Sequence, residues 1–197
     1  MKSMSGAAAL VVLILATLAV PSADAAESEF RVGVGFVTAQ TLFELINDVV
    51  VTGATIGAIE PETETKSPAF FLEYSRYRSE KTRLTLHVNM TSFETDYLAR
   101  SSGEALGTIS DDFYTAMIGV SRMWANDGTL GFYSGLMLGA TMLRTNADFD
   151  GVATDNTTLL AWQITPLGFR IGGDLALDVA AGVGHKGLFS FGAGMRF

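Results

Sequence analysis

This sequence of 197 residues has no cysteine, only four prolines and, beyond residue 25, no long unbroken apolar run. Without cysteine the chain forms no disulfide and offers no thiolate ligand to a metal. Few prolines leave long segments free to donate the hydrogen bonds of a β-ladder. Without a run of about 20 apolar residues, the mature chain has no candidate for a membrane-spanning helix.

Basic residues are also scarce, since 13 Lys and Arg face 21 Asp and Glu, which gives a net charge of −8. Proteins that bind nucleic acids need clustered cations to neutralise phosphates. We therefore expect no nucleic-acid partner.

The N-terminus has the features of an export signal. Lys2 supplies a basic start, residues 7–20 are apolar, and Ala23, Asp24 and Ala25 fit a small-x-small cleavage site. The alternative, an uncleaved membrane anchor, needs a longer apolar run of about 20 residues. We predict a signal peptide over residues 1–25 and one domain over residues 26–197.

The mature chain alternates apolar with small or polar side chains over eight segments. In the last of these, Phe189, Phe191 and Phe197 share one strand face, whereas Ser190 and Gly192 lie on the other. A strand interrupted by Pro166 is expected to contain a bulge, because proline cannot donate a ladder hydrogen bond. The predicted strands cover residues 29–38, 69–78, 82–91, 112–123, 129–145, 157–171, 174–184 and 190–197.

The connections between these segments alternate in length. Long connections, residues 39–68, 92–111 and 146–156, follow odd-numbered strands, and short ones follow even-numbered strands. Long loops at one end, tight turns at the other and an even strand count are typical of a transmembrane barrel. The connection at His185 and Lys186 is an exception, because it lies at the long-loop end and is very short.

The first long connection contains a helical pattern. Leu42, Leu45, Ile46 and Val49 recur at helical spacing, so residues 41–51 are predicted to form a short amphipathic helix. Three roles stay open for it: capping the barrel mouth, lying at the lipopolysaccharide surface, or presenting a face to a partner.

The two strand faces differ in chemistry. One face is apolar in nearly every strand, and the other mixes Gly, Ser and Thr with ionisable residues. A charge near the lipid-facing midplane costs about 2–4 kcal/mol for Arg or Lys, so the mixed face is assigned to the lumen. There Glu73 and Asp178 are expected to pair with Arg31 and Arg196, because isolated charges in a narrow core are costly. The predicted lumen network comprises Arg31, Glu73, Arg83, His87, Asp178 and Arg196.

The C-terminus carries the residues of a family resemblance. Ser190, Gly192 and Phe197 match the pattern polar-x-Gly-x-x-aromatic-x-aromatic, and Met195 departs from it by being apolar but not aromatic. The chain resembles the small eight-stranded outer-membrane barrels of the OmpX and OmpA transmembrane-domain type. The resemblance implies an all-β, eight-stranded antiparallel up-and-down barrel, integral to the outer membrane. It also implies that these four residues form the signal read by the barrel-assembly machinery.

Catalytic residues do not assemble in this pattern. A serine hydrolase needs Ser and His within hydrogen-bond reach. Ser134 lies on the lipid-facing row, on the opposite face from His87 and far from His185. The acidic loop that opens at Asn146 has Thr157 where a calcium loop requires a bidentate Glu. We expect no catalytic residue, no cofactor and no metal.

A barrel of eight strands encloses a lumen that side chains can just fill. The leading prediction is a non-enzymatic outer-membrane protein with a structural or surface-interaction role exerted through acidic extracellular loops. The alternatives are a narrow pore for ions or small solutes and, less favoured, a lipid A-modifying enzyme. The expected partners are outer-membrane lipid, lipopolysaccharide and the barrel-assembly machinery, and we expect a monomer.

Overall fold

In the computed structural model, which describes residues 27–55, 58–148 and 155–197, eight antiparallel strands form a closed barrel in chain order. Each strand pairs with the next, and β8 closes the ring against β1. The predicted up-and-down barrel is therefore confirmed, whereas the predicted signal peptide lies outside the described residues. The strands are β1 Ser28–Phe36, β2 Ile59–Ser79, β3 Thr82–Ala99, β4 Glu104–Asn126, β5 Leu130–Ala147, β6 Asp155–Gly172, β7 Leu175–Gly184 and β8 Phe189–Arg196.

The barrel is apolar outside and charged inside. Val32, Leu138 and Leu177 point outward and are half exposed or more, while their sequence neighbours Arg31 and Asp178 point inward and are buried. A soluble barrel has the reverse arrangement. Ionisable side chains inside and an apolar exterior band are the arrangement of a transmembrane barrel. In the described residues no helix is long and apolar enough to span a membrane.

Strands β2 to β5 are longer than the alternation predicts. β2 begins at Ile59, β3 continues to Ala99 and β4 begins at Glu104, so the last third of the predicted loop 39–68 and most of the predicted loop 92–111 are strand. Ladder pairing continues there, for example between Glu62 and Asp96. Above the apolar band the outward row becomes acidic, and the inward row mixes threonines such as Thr63 and Thr95 with the buried Phe93 and Tyr97, so the apolar-outside pattern ends there. We call residues 59–68, 92–99, 104–112 and 143–147 the raised sheet.

The opposite side of the barrel has no such extension. β1 ends at Phe36, and β7 and β8 are joined by the short turn after Gly184. On this side the wall is therefore lower than on the side of the raised sheet. The bulge predicted at Pro166 is confirmed, since the β6–β7 register shifts between Ile164 and Leu167.

The helix predicted in the first long connection is present as α1, Ala39–Ala54. Its N-cap is Thr38, whose hydroxyl accepts a hydrogen bond from the Thr41 backbone at 3.3 Å, while Thr41 Oγ1 accepts one from the Thr38 backbone at 3.2 Å. This reciprocal capping box satisfies backbone donors that a helix start leaves unpaired. The chain reaches the cap through Val37, which has a positive φ of 52°.

The polar face of α1 packs against the lumen side of the barrel wall, on β4 just below the raised sheet and on β2 within it. Gln40 Nε2 donates to Thr115 Oγ1 of β4 at 3.2 Å, and Asp48 Oδ1 accepts from Thr63 Oγ1 of β2 at 2.9 Å. The helix therefore covers the barrel mouth on its tall side. Of the three roles left open for this helix, capping the mouth is the one these contacts support.

Candidate functional site: a charged network inside the barrel

Arg31 of β1 is the centre of a buried ion cluster. Its guanidinium donates to Glu29 Oε1 at 2.7 Å and to Glu73 Oε2 at 2.9 Å, and it lies 3.2 Å from Asp178 Oδ2. These carboxylates come from β1, from its neighbour β2 and from β7, which β8 separates from β1. All four side chains are at most 3% exposed. The structure thus brings together Arg31, Glu73 and Asp178 from the predicted network.

Glu73 is also the meeting point of two further groups. Lys186 Nζ donates to Glu73 Oε1 at 2.9 Å, and His87 Nδ1 lies 3.0 Å from the same oxygen. The Lys186 ammonium is also 4.4 Å from the centre of the Phe71 ring, within cation–π range. A single buried carboxylate therefore contacts Arg31, Lys186 and His87.

Lys186 reaches the lumen because the turn between β7 and β8 folds inward. Gly184 and Gly187 flank this turn with positive φ values of 134° and 112°, which L side chains rarely adopt. Gly35 on β1 lets the turn approach, since a Cβ there would collide with the Lys186 carbonyl. The short connection that did not fit the predicted loop pattern is thus a turn that points into the barrel. We call this turn, residues 185–188, the latch.

A second group of contacts lies around Glu29. Its Oε2 accepts from Arg170 Nε at 3.0 Å and from the Tyr77 hydroxyl at 2.9 Å. The other guanidinium nitrogens of Arg170 donate to the carbonyls of Gly172 and Gly173 at 2.8 and 2.6 Å. We define the lumen ion network as Glu29, Arg31, Glu73, Arg170, Asp178 and Lys186.

Glu29, Arg170 and Lys186 were missed by sequence reasoning. Glu29 shares strand parity with Arg31, so the alternation contained the signal. Arg170 follows the irregularity at Pro166, which obscures the parity of its strand. Lys186 lies in a turn rather than in a strand, and only the flanking glycines hint at its inward direction.

Arg83 is buried, and no carboxylate in the described part of the chain lies within salt-bridge distance of it. Its guanidinium lies 4.5 Å from the centre of the Tyr133 ring, and the Tyr133 hydroxyl donates to Asp178 Oδ1 at 2.7 Å. Among the described residues, Nε and Nη1 of Arg83 have no hydrogen-bond partner. The positive charge of Arg83 is therefore stabilised by a cation–π contact with Tyr133.

Arg196 does not join the carboxylates of the lumen, so the expected pairing with Glu73 or Asp178 is wrong for this residue. It lies 3.1 Å from Glu27 and 4.7 Å from the centre of the Tyr77 ring instead. The physical reason is register, because Arg196 pairs with Glu29 and is nearer the barrel end than Arg31.

A separate polar layer lies between α1 and the raised sheet. Gln40 and Glu44 are each 2% exposed, and the Glu44 Oε1 atom has no hydrogen-bond partner among the described residues. Burial, and then the negative charges of Asp111 and Asp48, raise the pKa of Glu44 to about 8. The docked helix therefore favours a protonated Glu44 at neutral pH.

The hydroxyl considered as a nucleophile has another partner. Ser134 Oγ accepts a hydrogen bond from Trp124 Nε1 at 2.9 Å on the outer wall. No group of three or more Asp, Glu, His or Cys within the described residues is placed to hold a metal ion. The calcium-like loop lies partly outside them, since residues 149–154 are not described.

The residues of the predicted assembly signal lie along β8. Phe197 and Met195 are exposed on the outer face, and Phe197 stacks on Phe30 with ring centres 5.7 Å apart. Ser190 is buried, and Gly192 pairs with Gly33. Their recognition by the barrel-assembly machinery stays a prediction.

No protein-family model matches the chain, and no curated protein sequence matches it significantly. Two crystal structures of Ail, the attachment invasion locus protein of Yersinia pestis, are similar to it with TM-scores of 0.49. One of them is in complex with the heparin analogue sucrose octasulfate. They are 12% and 14% identical in sequence, over 87% of this chain and 99% of theirs. The barrel architecture of this chain is established by its own strand pairing.

Proposed function

We propose that this protein is a non-enzymatic outer-membrane barrel with a closed lumen, which acts through the surface it raises above the membrane. The observation that carries the proposal is the lumen ion network, whose members are buried and paired across the barrel. The chemistry of the two strand faces supports membrane insertion, and the signal pattern of residues 1–25 supports export.

The lumen ion network supports a closed barrel. Arg31 contacts the carboxylates of β1, β2 and β7. Lys186, in the turn between β7 and β8, forms a further ion pair with Glu73. Opening a path for ions would separate buried opposite charges, and leaving one of them unpaired is strongly unfavourable. The network therefore favours a structural lumen over a pore.

The outer face of the raised sheet supports a role in surface contact. Glu60, Glu62, Glu64 and Asp96 are exposed there, and Glu94 pairs with Lys66. Paired strands would give the proposed acidic extracellular surface a rigid support. A rigid acidic surface suits a cationic partner or a layer of divalent cations at the lipopolysaccharide surface.

The closed lumen is tested by single-channel recording in planar bilayers. The purified barrel is expected to give no steady conductance under conditions in which a general porin, incorporated in parallel, conducts. Steady ion-selective openings of the wild-type protein would replace this proposal with the narrow-pore alternative.

The absence of catalysis is tested separately. Overexpression is expected to leave the acyl pattern of lipid A unchanged in a mass spectrum, compared with cells that carry the empty vector. A new or missing acyl chain would show that the barrel modifies lipid A.

A further inference from the structure

The apolar face of α1 has no covering element among the described residues. Its polar residues contact the raised sheet, whereas the opposite side of the helix is open. The side chains of this open side are between 44% and 66% exposed: Leu42, Leu45, Ile46 and Val49. We call these four residues the outer helix face.

The outer helix face lies above the low side of the barrel. The lipid-facing row of β1 runs from Phe30 to Phe36, whereas the row of β5 runs from Leu130 to Met142. At about 3.3 Å per residue these rows extend roughly 20 and 40 Å along their strands. Tilted by about 40°, they cover roughly 15 and 30 Å of membrane depth, against an apolar band of about 25 Å. The wall at β1 is therefore about 10 Å short.

The helix begins where this wall ends. β1 stops at Phe36, and the chain turns through Val37 into α1, so the row of β1 cannot continue upward. Gln40 is bonded to Thr115, whose neighbour Tyr114 is exposed on the outer wall of β4. Gln40 therefore lies near the top of the lipid-facing row of β4, and the helix rises from there along the raised sheet to the contact of Asp48 with Thr63.

The chemistry of the outer helix face fits hydrocarbon. The only charged residues of α1 are Glu44 and Asp48; Glu44 is buried on the polar side, and Asp48 is bonded to Thr63 of the raised sheet. The helix carries no Lys or Arg that could bind lipid phosphates. Phe36 and Val37, 44% and 45% exposed, connect this face to the apolar surface of β1 without a polar break.

We propose that the outer helix face contacts the acyl chains of the outer leaflet and completes the lipid-facing surface above β1. The inference rests on the proposed membrane location of the barrel. A helix placed in this way lies at the membrane boundary with one side in lipid and the other against protein, as interfacial amphipathic helices do. The low wall and the helix are then two parts of one lipid-facing surface.

The test uses the absence of native cysteine, which permits one label per molecule. A nitroxide is attached to Ile46→Cys, to Leu138→Cys in the middle of the β5 row, and to Glu62→Cys on the raised sheet. The barrels are reconstituted into vesicles of phosphatidylethanolamine, phosphatidylglycerol and lipopolysaccharide. Collision rates with oxygen and with a water-soluble nickel complex then report depth. Leu45→Cys replaces Ile46→Cys if the latter does not fold, as judged by heat-dependent mobility on a gel.

We compare the ratio of the collision rate with oxygen to that with the nickel complex. This ratio is expected to be at least about three times higher at Ile46→Cys than at Glu62→Cys, and therefore closer to the value at Leu138→Cys. A ratio at Ile46 equal to that at Glu62, with Leu138 in lipid, overturns the inference and leaves the membrane location intact. Water-like values at Leu138 overturn the membrane location itself. One short, discrete distance between Ile46 labels in dipolar spectroscopy would show that a second copy covers the face, which also overturns the inference.

Discussion

Replacing Glu73 with Gln removes one charge from the middle of the lumen ion network and keeps the shape of the side chain. Glu73 is fully buried and contacts Arg31, Lys186 and His87. Arg31 keeps Glu29 and Asp178 after the change, but Lys186 loses the carboxylate that neutralises it. Removing one partner of a buried ion pair costs about 3–5 kcal/mol, so Glu73→Gln is expected to lower the free energy of unfolding by that amount.

The assay is reversible unfolding by denaturant in lipid vesicles, followed by tryptophan fluorescence. Glu62→Gln is the matched control, because Glu62 is exposed on the raised sheet, and it is expected to change stability by less than about 0.5 kcal/mol. In the double variant Glu73→Gln, Lys186→Met, no ammonium is left without a partner. The double variant is therefore expected to lose less free energy of unfolding than the two single variants together, by about 1–3 kcal/mol.

Two results would refute this reasoning. If Glu73→Gln unfolds within about 1 kcal/mol of Glu62→Gln, the network does not hold the lumen together. If the two single losses add without a coupling term, Lys186 does not depend on Glu73.

Three further predictions concern the latch, the helix and the C-terminus. Gly35→Ala should destabilise the barrel by about 1–3 kcal/mol in the same unfolding assay, because its Cβ would collide with the carbonyl of the latch, whereas Gly53→Ala in open space should not. Since burial raises the pKa of Glu44 from 4.5 to about 8, the stability of docked α1 should fall as pH rises through this range. Hydrogen exchange of the helix should show this, and Glu44→Gln should abolish the dependence. Phe197→Ala should lower barrel levels in the outer membrane of cells, measured by immunoblot, while spontaneous folding into vesicles stays near the wild-type rate.

The barrel could be predicted from the sequence because lipid imposes a pattern. Wherever a strand crosses the apolar band, its lipid-facing side must be apolar. An apolar residue such as Val32 or Leu138 therefore indicates which alternate residues of its strand face the lipid. Above the band this constraint ends, so Glu60, Glu62 and Glu64 alternate with proline and threonine, and the segment resembles a loop. The raised sheet was missed for this reason.

The lumen network could be predicted only in part. Strand parity placed Arg31, Glu73 and Asp178 inside, but parity does not determine how far each strand is shifted against the next. That register decides that Arg31 contacts Asp178 and that Arg196 lies at the rim. Lys186 depends on the direction of a tight turn, which a single sequence does not reveal.

Lipid contact along the outside of the barrel can be measured directly, because the two tryptophans of the sequence can report it. Trp124 is 58% exposed near one end of the outer wall, and Trp162 lies on the outward face of β6. In vesicles whose acyl chains carry bromine, the fluorescence of both is expected to be quenched, and aqueous iodide should quench it little. Strong quenching by iodide with no response to brominated chains would contradict the account.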